Sequence, residues 1–330
     1  MARNALKVAE KSSAFSCGAF FLTAFADIRF SPHVQGILRH RGVFLYYVRR
    51  FPIMSEHNLS GQVGVVTGAA RGLGRAFALG LAQAGMSVAL IDRRESELKE
   101  TLQALQSSGG KGMTIAADVS DPDQVSGCIK LVEQELGAID LLVNNAGIAG
   151  PAGPTWESDA QAWWHCQEVN LRGPFLGCHA VLPGMIARQK GRIVNVASAA
   201  GTISVPYLSA YVTSKAALIR FTETLAFEVR PLGVSVFAMH PGAVQTPMNE
   251  ELLATAGKQW LPWLEHVFQH GQDQTTEPGA SMVVFLASGT ADSLSGRLFM
   301  VPDDPAELVE RADEIRQRDL YTLRLRHPKI

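Results

Sequence analysis

The most constraining feature of the sequence is a regular alternation, from Gly61 onward, of short apolar segments with segments of helical periodicity. A strand that is apolar at every position is buried on both faces, and a parallel sheet covered by helices on both sides provides that burial. The pattern therefore predicts an α/β fold, a doubly wound parallel sheet in three α/β/α layers. The predicted strands are Val63–Thr67, Ser87–Ile91, Gly112–Ala117, Asp140–Asn144, Arg192–Ala197, Val234–His240 and Gly296–Val301.

The segments between these strands carry helical periodicity and helix-start signals. One start signal is Ser120-Asp121-Pro122-Asp123, which combines a capping side chain with a proline suited to the first helical turn. The other predicted helices are one that ends near Gly85, then Glu95–Ser107, Glu157–Arg188, Leu208–Arg230, a Trp-rich insertion between Thr246 and Asp273, Glu277–Ala287, and Ala306–Arg318.

A glycine-rich turn, Thr67-Gly68-Ala69-Ala70-Arg71-Gly72-Leu73-Gly74, joins the first strand to the first helix. Glycine is needed where a backbone turns tightly, approaches a pyrophosphate or packs a helix on a strand, and a helix N-terminus offers N–H groups to phosphate. Between a strand and a helix, such a turn predicts a Rossmann-type dinucleotide site. The expected cofactor contacts in this turn are Gly68, Arg71, Gly72, Leu73 and Gly74.

An acidic residue, Asp92, ends the second strand about twenty residues after the turn. Its carboxylate is suited to accept hydrogen bonds from the adenosine ribose and to repel a 2′-phosphate, so NAD is favoured over NADP. Arg71, Arg93 and Arg94 lie nearby and could bind a phosphate, which leaves NADP as an alternative. Arg93 is included among the expected cofactor contacts.

Two further strand ends carry candidate cofactor contacts. Asp118, with Val119 beside it, could reach the adenine, although Asp118 taken by itself is better explained as a turn acid next to a helix. The fourth strand ends in Asn144-Asn145-Ala146-Gly147, at the edge where open α/β sheets bind ligands. Asn144, Ala146 and Gly147 are expected to contact the cofactor there.

The candidate catalytic residues lie later in the chain. Tyr211 and Lys215 are spaced i and i+4, which places a phenol and an ammonium on one face of a helix. Ser198 follows the fifth predicted strand, and Asn170 lies in the preceding long helix. A free phenol titrates near pH ~10, and a neighbouring cation favours its ionised form.

In order and spacing these motifs closely resemble the short-chain dehydrogenase/reductase family, across about Leu59 to Val301. The resemblance implies that Tyr211 is the general acid/base and that Lys215 lowers its pKa and holds the nicotinamide ribose. It also implies that Ser198 positions the substrate oxygen and that Asn170 anchors a water of a proton relay. A homo-oligomer, tetramer or dimer, is implied as well.

The resemblance also assigns a role to the turn that follows the sixth predicted strand. Pro241-Gly242-Ala243-Val244-Gln245-Thr246 matches the family's turn at the nicotinamide carboxamide. The implied contacts are Pro241, Gly242, Val244 through its backbone and Thr246 through its hydroxyl.

Composition limits the class of protein. The chain has 330 residues, 47% of them hydrophobic, and a formal net charge of −1, which excludes a wholly disordered chain and disfavours a nucleic-acid partner. No apolar run reaches the ~20 residues of a membrane span, so no integral membrane segment is expected. Cys17, Cys128, Cys166 and Cys178 show neither disulfide nor metal-ligand spacing, so reduced thiols, no metal and a cytoplasmic location are predicted.

The first 54 residues differ from the rest, with eight Lys or Arg residues against two acidic ones. A secretory signal, an Arg-rich transit peptide and a basic membrane-surface arm are three interpretations. A disordered extension, or one upstream of a true start at Met54, is favoured. The expected organisation is residues 1–54 as an extension, 55–304 as the catalytic domain and 305–330 as a C-terminal helix and tail.

Several features depart from the family pattern or stay open. Val301-Pro302-Asp303-Asp304 replaces the usual V-D-G-G, and the helix after it is expected to be a solvated surface helix rather than a cap on a neighbouring subunit. The segment between Thr246 and Asp273, termed here the lid segment, is rich in large apolar residues that could line a substrate pocket or pack as helices. His240 is expected to be satisfied by backbone, and Trp156, Trp163 and Trp164 to be core or interface anchors.

The sequence thus predicts an NAD-dependent oxidoreductase that interconverts an apolar small-molecule secondary alcohol and its ketone. An NADPH-dependent ketoreductase is the alternative among enzymes. A non-catalytic nicotinamide-binding redox sensor is the alternative of another class.

Overall fold

The computed structural model describes residues 57–271, 273–301 and 303–325, and these contain seven strands in one parallel sheet. The strands are β1 (Val63–Thr67), β2 (Ser87–Asp92), β3 (Gly112–Ala116), β4 (Ile139–Asn144), β5 (Gly191–Val196), β6 (Val234–His240) and β7 (Leu298–Met300). Their order in the sheet is β3-β2-β1-β4-β5-β6-β7. The predicted doubly wound α/β sheet is therefore confirmed.

Twelve α-helices connect the strands of the described residues or follow the last one. They are α1 (Gly72–Gln83), α2 (Glu95–Ser107), α3 (Pro122–Glu135), α4 (Ala160–Gln167), α5 (Gly173–Ala187), α6 (Ser209–Val229), α7 (Pro247–Leu252), α8 (Lys258–Trp260), α9 (Pro262–Gln269), α10 (Glu277–Ser288), α11 (Pro305–Glu310) and α12 (Ala312–Gln317). A π-helical turn, Glu168–Arg172, joins α4 to α5, so the predicted long helix is interrupted. The predicted cap of α3 is confirmed, since Asp121 accepts hydrogen bonds from the backbone N–H groups of Asp123 and Gln124.

Two hydrophobic cores form because side chains alternate between the faces of each strand. In β1, Val66 belongs to the core on one face, which contains α1, α2 and α10, and Val65 to the core on the other, which contains α3, α5 and α6. Phe237 and Val236 make the same division in β6. The strands are thus covered on both faces, as their continuous apolar sequence requires.

The order in which strands are added to the sheet reverses between β1 and β4. After β3 the chain returns to pair β4 with the opposite edge of β1, so the connections of β1 and β4 run to opposite sides of the sheet. A crevice opens at the carboxyl ends of the strands at such a point, and ligands of doubly wound folds bind there. The predicted glycine-rich turn and the end of β4 both lie at this crevice.

The C-terminal segment differs from the predicted solvated helix. It forms two short helices, α11 and α12, and Leu308, Ala312 and Ile315 are buried in the core that contains α10. The expectation of a purely solvated helix is wrong because this apolar face packs on the main domain. Residues 1–54 lie outside the described residues, so the predicted extension stays a prediction.

The chain after α12 crosses the edge strand β7. The backbone N–H of Leu298 donates to the carbonyl of Tyr321 at 2.9 Å, and Arg297 donates to Asp319 at 2.7 Å. These contacts hold residues 319–321 against the sheet.

The same segment then binds α6 through Glu223, whose side chain is almost fully buried. Thr322 donates to the Glu223 carboxylate at 2.8 Å, and the guanidinium groups of Arg220 and Arg324 pair with it. Burial opposes ionisation of Glu223, but these hydrogen bonds and charges outweigh it and hold its pKa below the ordinary value of 4.5. We call this set of contacts, from Asp319 to Arg324, the C-terminal clasp.

Substitution of Glu223 tests the clasp. Glu223→Gln is expected to lower the free energy of unfolding at neutral pH by about 1–3 kcal/mol, because it leaves two arginines without their buried partner. A carboxyl group with a lowered folded-state pKa stabilises above its unfolded pKa and loses that contribution as the pH falls through the folded value. The difference between wild type and variant should therefore be constant at neutral pH and shrink below pH 4.5.

The measurement is urea unfolding followed by circular dichroism at several pH values. Glu95→Gln is the control, since Glu95 pairs with Lys99 on the exposed surface of α2 and should have a much smaller effect. A Glu223→Gln difference that is unchanged well below pH 4.5 would contradict the assignment.

Candidate active site

The glycine-rich turn is fixed by hydrogen bonds from the end of β4. The Thr67 hydroxyl accepts hydrogen bonds from the backbone N–H groups of Asn145 and Ala146, at 3.0 and 3.1 Å. The Asn145 side-chain amide donates to the carbonyls of Thr67 and Gly68, at 2.9 and 3.2 Å. β1 and β4 are thus joined by side chains at the point where their backbone pairing ends.

Glycine is required at two positions of this turn. Gly68 has φ +66°, and a Cβ there would lie 2.9 Å from both the Cα of Ala146 and the side-chain nitrogen of Asn145. A Cβ on Gly74 would lie only 2.0 Å from the carbonyl oxygen of Gly68. Side chains at these positions would collide with the turn itself and with the end of β4, so glycine is what lets the turn close tightly.

The N-terminus of α1 is free to bind an anion. Arg71 is the N-cap residue of α1, and none of the described side chains caps its first N–H groups. Gly72 begins the helix with φ +55°, and Leu73 packs against the core behind it. Because exposed N–H groups at a helix N-terminus bind phosphate, the turn fits a pyrophosphate.

Asp92 lies beside the turn at the end of β2, where it is 8% exposed. Its carboxylate accepts hydrogen bonds from the backbone N–H of Ala70 at 3.3 Å and of Arg94 at 3.1 Å. The Arg94 guanidinium is 3.7 Å away. The carboxylate is therefore oriented by the turn itself, as a ribose-binding acid needs to be.

Asp118 and its neighbours form the next part of the rim. Arg93 donates to Asp118 at 3.3 Å, and the Ser120 hydroxyl donates at 2.7 Å. Burial opposes ionisation of Asp118, but these partners outweigh it and lower its pKa. Val119 packs close to Gly173 at the start of α5.

Asn144 points away from the predicted cofactor site. Its side-chain amide donates to Asn195 at 2.9 Å and lies 3.4 Å from the Pro174 carbonyl, in the layer of α5. Asn195 in turn donates to Thr222 of α6 at 2.9 Å. The side chain of Asn144 is thus part of a buried polar chain, and only its backbone is left for a cofactor contact.

Asn170 lies within the π-helical turn and its side chain is fully buried. The amide binds both backbone groups of Ile148, in the loop after β4. Its Oδ1 accepts a hydrogen bond from the Ile148 N–H, and its Nδ2 donates one to the Ile148 carbonyl, both at 2.9 Å. Nδ2 also lies 3.0 Å from the hydroxyl of Ser214. A π-turn inserts one extra residue into a helix and so changes the direction of a side chain. Here the Asn170 side chain holds the loop after β4 against α6.

Three of the predicted catalytic side chains converge at the carboxyl end of β5. Lys215 is buried and donates to the carbonyl of Val196 at 2.8 Å, and its ammonium lies 5.7 Å from the centre of the Tyr211 ring. Ser198 interacts with the Tyr211 phenol by a hydrogen bond. A Cβ on Gly147 would lie 3.6 Å from Lys215 Nζ and 3.2 Å from Asn170 Oδ1, so the end of β4 faces the same place.

The pKa of each group follows from this environment. Burial lowers the pKa of Lys215 to about 8. Burial raises the pKa of Tyr211, and the hydrogen bond from Ser198 acts in the opposite direction. Ser198 thus acts on the Tyr211 pKa in the direction opposite to burial, and the role of Lys215 in lowering that pKa stays a prediction.

The turn after β6 lies on the other side of the crevice. Gly242 has φ +91°, and Val244 is buried and pairs with Gln274 in a short parallel bridge. The Thr246 hydroxyl accepts a hydrogen bond from Asn249 at 3.4 Å and so caps α7. Pro241 packs near Gly279 at the start of α10.

His240 differs from its prediction. Its Nδ1 is buried and has no hydrogen-bond partner among the described residues, so the expected backbone partner is absent. Burial lowers the pKa of His240 to about 4, so the ring is neutral at physiological pH.

The lid segment covers Tyr211 with a separate apolar cluster. Its buried members are Ala200, Val205, Leu208, Leu252, Leu261 and Leu264, and Tyr211 packs against them. The Trp260 ring contacts the Tyr207 ring with centres 4.8 Å apart. Large apolar side chains of the lid segment and of the loop after β5 therefore pack against Tyr211.

The three tryptophans that precede α5 behave differently from one another. Trp163 donates to Ser209 at 3.1 Å, whereas Trp156 and Trp164 are 83% and 64% exposed. The latter two are therefore not core residues of this chain.

Two kinds of feature are absent from the part of the chain that the structure describes. No three His, Cys, Asp or Glu side chains there are grouped closely enough to hold a metal ion. Nor is any helix in that part long and apolar enough to cross a membrane.

The fold and the site together define a class of protein. A doubly wound parallel sheet, a glycine-rich turn at its switch point and an adjacent Tyr, Lys and Ser set are the elements of a dinucleotide-dependent oxidoreductase. Comparison with known proteins identifies the family within this class. A family model described as short chain dehydrogenase matches residues 62–257, and the chain belongs to the short-chain dehydrogenase family.

Individual relatives cover most of the chain. A short chain dehydrogenase of Pseudocercospora fijiensis is 36% identical over 282 residues, which are 82% of this chain and 90% of the relative. The 2-(S)-hydroxypropyl-CoM dehydrogenase 3 of Xanthobacter autotrophicus is 35% identical over 251 residues, 74% of this chain and 97% of the relative.

Among solved structures, that of an actinorhodin polyketide ketoreductase variant with NADPH superimposes with a TM-score of 0.69 at 31% identity. The match covers 73% of this chain and 95% of the ketoreductase chain. The family assignment makes this chain an oxidoreductase that uses a nicotinamide cofactor.

Sequence reasoning quoted some residues of the site without assigning them a role. Thr67 and Asn145 stand inside the recognised motifs, yet their mutual hydrogen bonds require two strands that are distant in sequence to be adjacent. Ser214 stands inside the Tyr-Lys motif and contacts Asn170. Glu251, which pairs with Arg71, carries no sequence signal at all.

The close packing of the glycine-rich turn gives a prediction. Gly74→Ala is expected to lower the free energy of unfolding by about 1–3 kcal/mol, because a Cβ 2.0 Å from the Gly68 carbonyl forces the backbone to move. The measurement is urea unfolding of the cofactor-free protein.

Gly127→Ala is the matched control. Gly127 lies in α3 with no atom within 4 Å of its Cβ position, and alanine is the better helix former. This control should stabilise the protein by about 0.5–1 kcal/mol. Equal stability of Gly74→Ala and wild type would show that the turn is not closely packed.

Proposed function

We propose that this protein is an NAD-dependent oxidoreductase that interconverts a secondary alcohol and a ketone, with Tyr211 as the general acid/base. The observation that carries the proposal is the convergence of the Tyr211 phenol, the Ser198 hydroxyl and the buried Lys215 ammonium at the end of β5. When bound, the nicotinamide ring exchanges a hydride with the substrate carbon.

Tyr211 and Ser198 act on the substrate oxygen. As the carbon loses hydride, Tyr211 accepts the alcohol proton, and in the reverse direction it donates that proton to the carbonyl oxygen. Ser198 lowers the Tyr211 pKa before substrate binds and then donates its single hydroxyl proton to the substrate oxygen. The apolar cluster around Tyr211 excludes water from the reacting groups.

Lys215 supplies positive charge below the phenol. With a pKa of about 8 it is mostly protonated at neutral pH, and a cation 5.7 Å from the ring favours the phenolate. Its hydrogen bond to the Val196 carbonyl fixes the ammonium where it can also hold the nicotinamide ribose.

Asn170 acts as a positioning residue. Its amide is committed to Ile148 and Ser214, so it fixes the loop after β4 relative to α6, which carries Tyr211 and Lys215. We assign the water of the proton relay to the space between Asn170 and Lys215.

The charges around Asp92 support NAD over NADP. Each of the three arginines that could bind a 2′-phosphate already has a carboxylate partner, and the cluster has one more carboxylate than arginine. The pairs are Arg71 with Glu251, Arg93 with Asp118, and Arg94 with Asp92 and Glu97. A phosphate of charge about −2 would therefore enter an already negative cluster.

The remaining contacts follow from the glycine-rich turn and the turn after β6. Gly68, Gly72 and Gly74 let the turn close tightly against the end of β4 and the start of α7, and the N-terminus of α1 binds the pyrophosphate. The residues assigned to the nicotinamide side are Ala146, Gly147, Pro241, Gly242, Val244 and Thr246.

The substrate is assigned as an apolar small-molecule alcohol or ketone because the lid segment surrounds Tyr211 with aliphatic and aromatic side chains. A homo-oligomer is supported by exposed aromatic residues on neighbouring helices, Phe175 on α5 and Phe227 on α6. The free, buried thiols of Cys128, Cys166 and Cys178 support a cytoplasmic location.

The role of Tyr211 can be tested by removing only its hydroxyl. Tyr211→Phe is expected to reduce kcat/KM by about 10²–10⁴-fold, because the proton has no acid/base partner. Turnover is measured as NADH appearance with a panel of secondary alcohols, and NADH binding should persist. Tyr321→Phe, in the C-terminal clasp, is the control, and normal turnover by Tyr211→Phe would overturn the proposal.

The pH dependence tests the partner of Tyr211. Because the Ser198 hydrogen bond lowers the Tyr211 pKa, Ser198→Ala should raise that pKa. Alcohol oxidation requires the phenolate, so the rising limb of the kcat/KM profile should move to higher pH. Ser198→Thr keeps a hydroxyl and should leave the limb in place; an unshifted limb in Ser198→Ala would assign the effect to another group.

A further inference from the structure

We propose that Glu251, on helix α7 of the lid segment, determines cofactor choice by occupying Arg71 of the glycine-rich turn. The inference rests on the proposed NAD-dependent function. The Arg71 guanidinium pairs with the Glu251 carboxylate across the crevice, 180 residues apart in sequence. The sequence motifs of the cofactor site do not include Glu251.

Arg71 is the cation of the glycine-rich turn, and it directly follows the residue that contacts the ribose-binding acid. The residue before it, Ala70, donates its backbone N–H to the Asp92 carboxylate at 3.3 Å, and Arg71 itself is the N-cap residue of α1. A guanidinium binds phosphate with two parallel hydrogen bonds. Unpaired, Arg71 would favour a phosphorylated ribose beside Asp92.

Arg93 and Arg94 are neutralised differently. Their partners, Asp118, Asp92 and Glu97, lie at the ends of neighbouring strands or in the following helix, so these pairs are built into the sheet edge. The partner of Arg71 comes from the lid segment alone.

The position of Glu251 is fixed by contacts between α7 and the turn. The Cβ position of Gly72 lies 3.6 Å from Pro247 and 3.8 Å from Thr246, so the first turn of α7 rests on the glycine-rich turn. The Asn249 side chain donates to the Val244 carbonyl at 2.9 Å and anchors the helix. Glu251 lies one turn further along α7.

The pair can be displaced by a stronger ligand for Arg71, but the carboxylate then stays near. The side chains of Arg71 and Glu251 are 30% and 62% exposed, and ion pairs this accessible to water are weak. A 2′-phosphate must separate them and then lie close to both Glu251 and Asp92, which are negative. NADH has no 2′-phosphate and binds without separating the pair, so Glu251 discriminates against the phosphorylated cofactor.

Dissociation constants for NADH and NADPH, measured by nucleotide fluorescence with the full chain, test the inference. Glu251→Gln should lower the ratio of the NADPH to the NADH dissociation constant about 5-fold, mainly through tighter NADPH binding. Glu250→Gln is the matched control, because Glu250 is the adjacent exposed acid of α7 and bonds to Gln245 instead of an arginine. Circular dichroism verifies that each variant is folded.

The same measurement in an Arg71→Gln variant shows whether Glu251 acts on cofactor binding through Arg71. In Arg71→Gln, the added Glu251→Gln substitution should shift the ratio much less than 5-fold, because the arginine that Glu251 occupies is already absent and only the repulsion by its carboxylate is removed. An equal shift in that background, or an equal shift in Glu250→Gln, would overturn the inference.

The outcomes separate this inference from the proposed function. If the wild type binds NADH and Glu251→Gln leaves the ratio unchanged, the role of Glu251 is overturned while the proposed function stands. If the wild type binds neither nucleotide, the proposed function is overturned and the inference with it.

Discussion

The active site depends on one polar contact, between Thr67 at the end of β1 and Asn145 at the end of β4. The switch in strand order opens the crevice, and the backbone pairing of β1 with β4 ends just before it, at Val66 and Val143. Thr67 and Asn145 replace that pairing with side-chain hydrogen bonds. The glycine-rich turn, with its helix N-terminus, and the loop that reaches Asn170 both start from this junction, so their relative position is set there.

Electrostatic balance determines the character of the cofactor side of the crevice. Basic residues in a dinucleotide turn would by themselves favour a phosphorylated ribose. Here Arg71, Arg93 and Arg94 each pair with a carboxylate, so their positive charge does not create a binding site for a 2′-phosphate. The catalytic side follows another principle, since burial acts on Lys215 and Tyr211 in opposite directions and favours their neutral forms. The Ser198 hydroxyl opposes this effect at the phenol.

Sequence reasoning predicted the elements of the fold well because their signals are local. β1 and β6 match their predicted ranges, since continuous apolar runs bounded by glycine or polar residues define strands. The π-turn around Asn170 was not predicted, because a helix with one extra residue has no distinct periodicity.

The site was predictable only as far as its motifs extend. The spacing of Tyr211 and Lys215 placed both on α6, but the direction of the Asn144 side chain depends on Asn195 and on α5, which only the folded chain brings together. The pairing of Glu251 with Arg71 likewise joins two surfaces that no local pattern connects. The C-terminal helices were predicted as solvated because their charged residues dominate the pattern, whereas three apolar positions are sufficient to bury one face.

The C-terminal clasp has a consequence for the catalytic helix. Helix α6 carries Tyr211 and Lys215 at its beginning and Glu223 further along, and two partners of Glu223, Thr322 and Arg324, belong to the clasp. Arg220, the remaining charged partner, lies on α6 itself. A proteolytic cut within the clasp would therefore leave the buried Glu223 carboxylate with one charged partner and loosen the packing of the same helix that carries the catalytic pair.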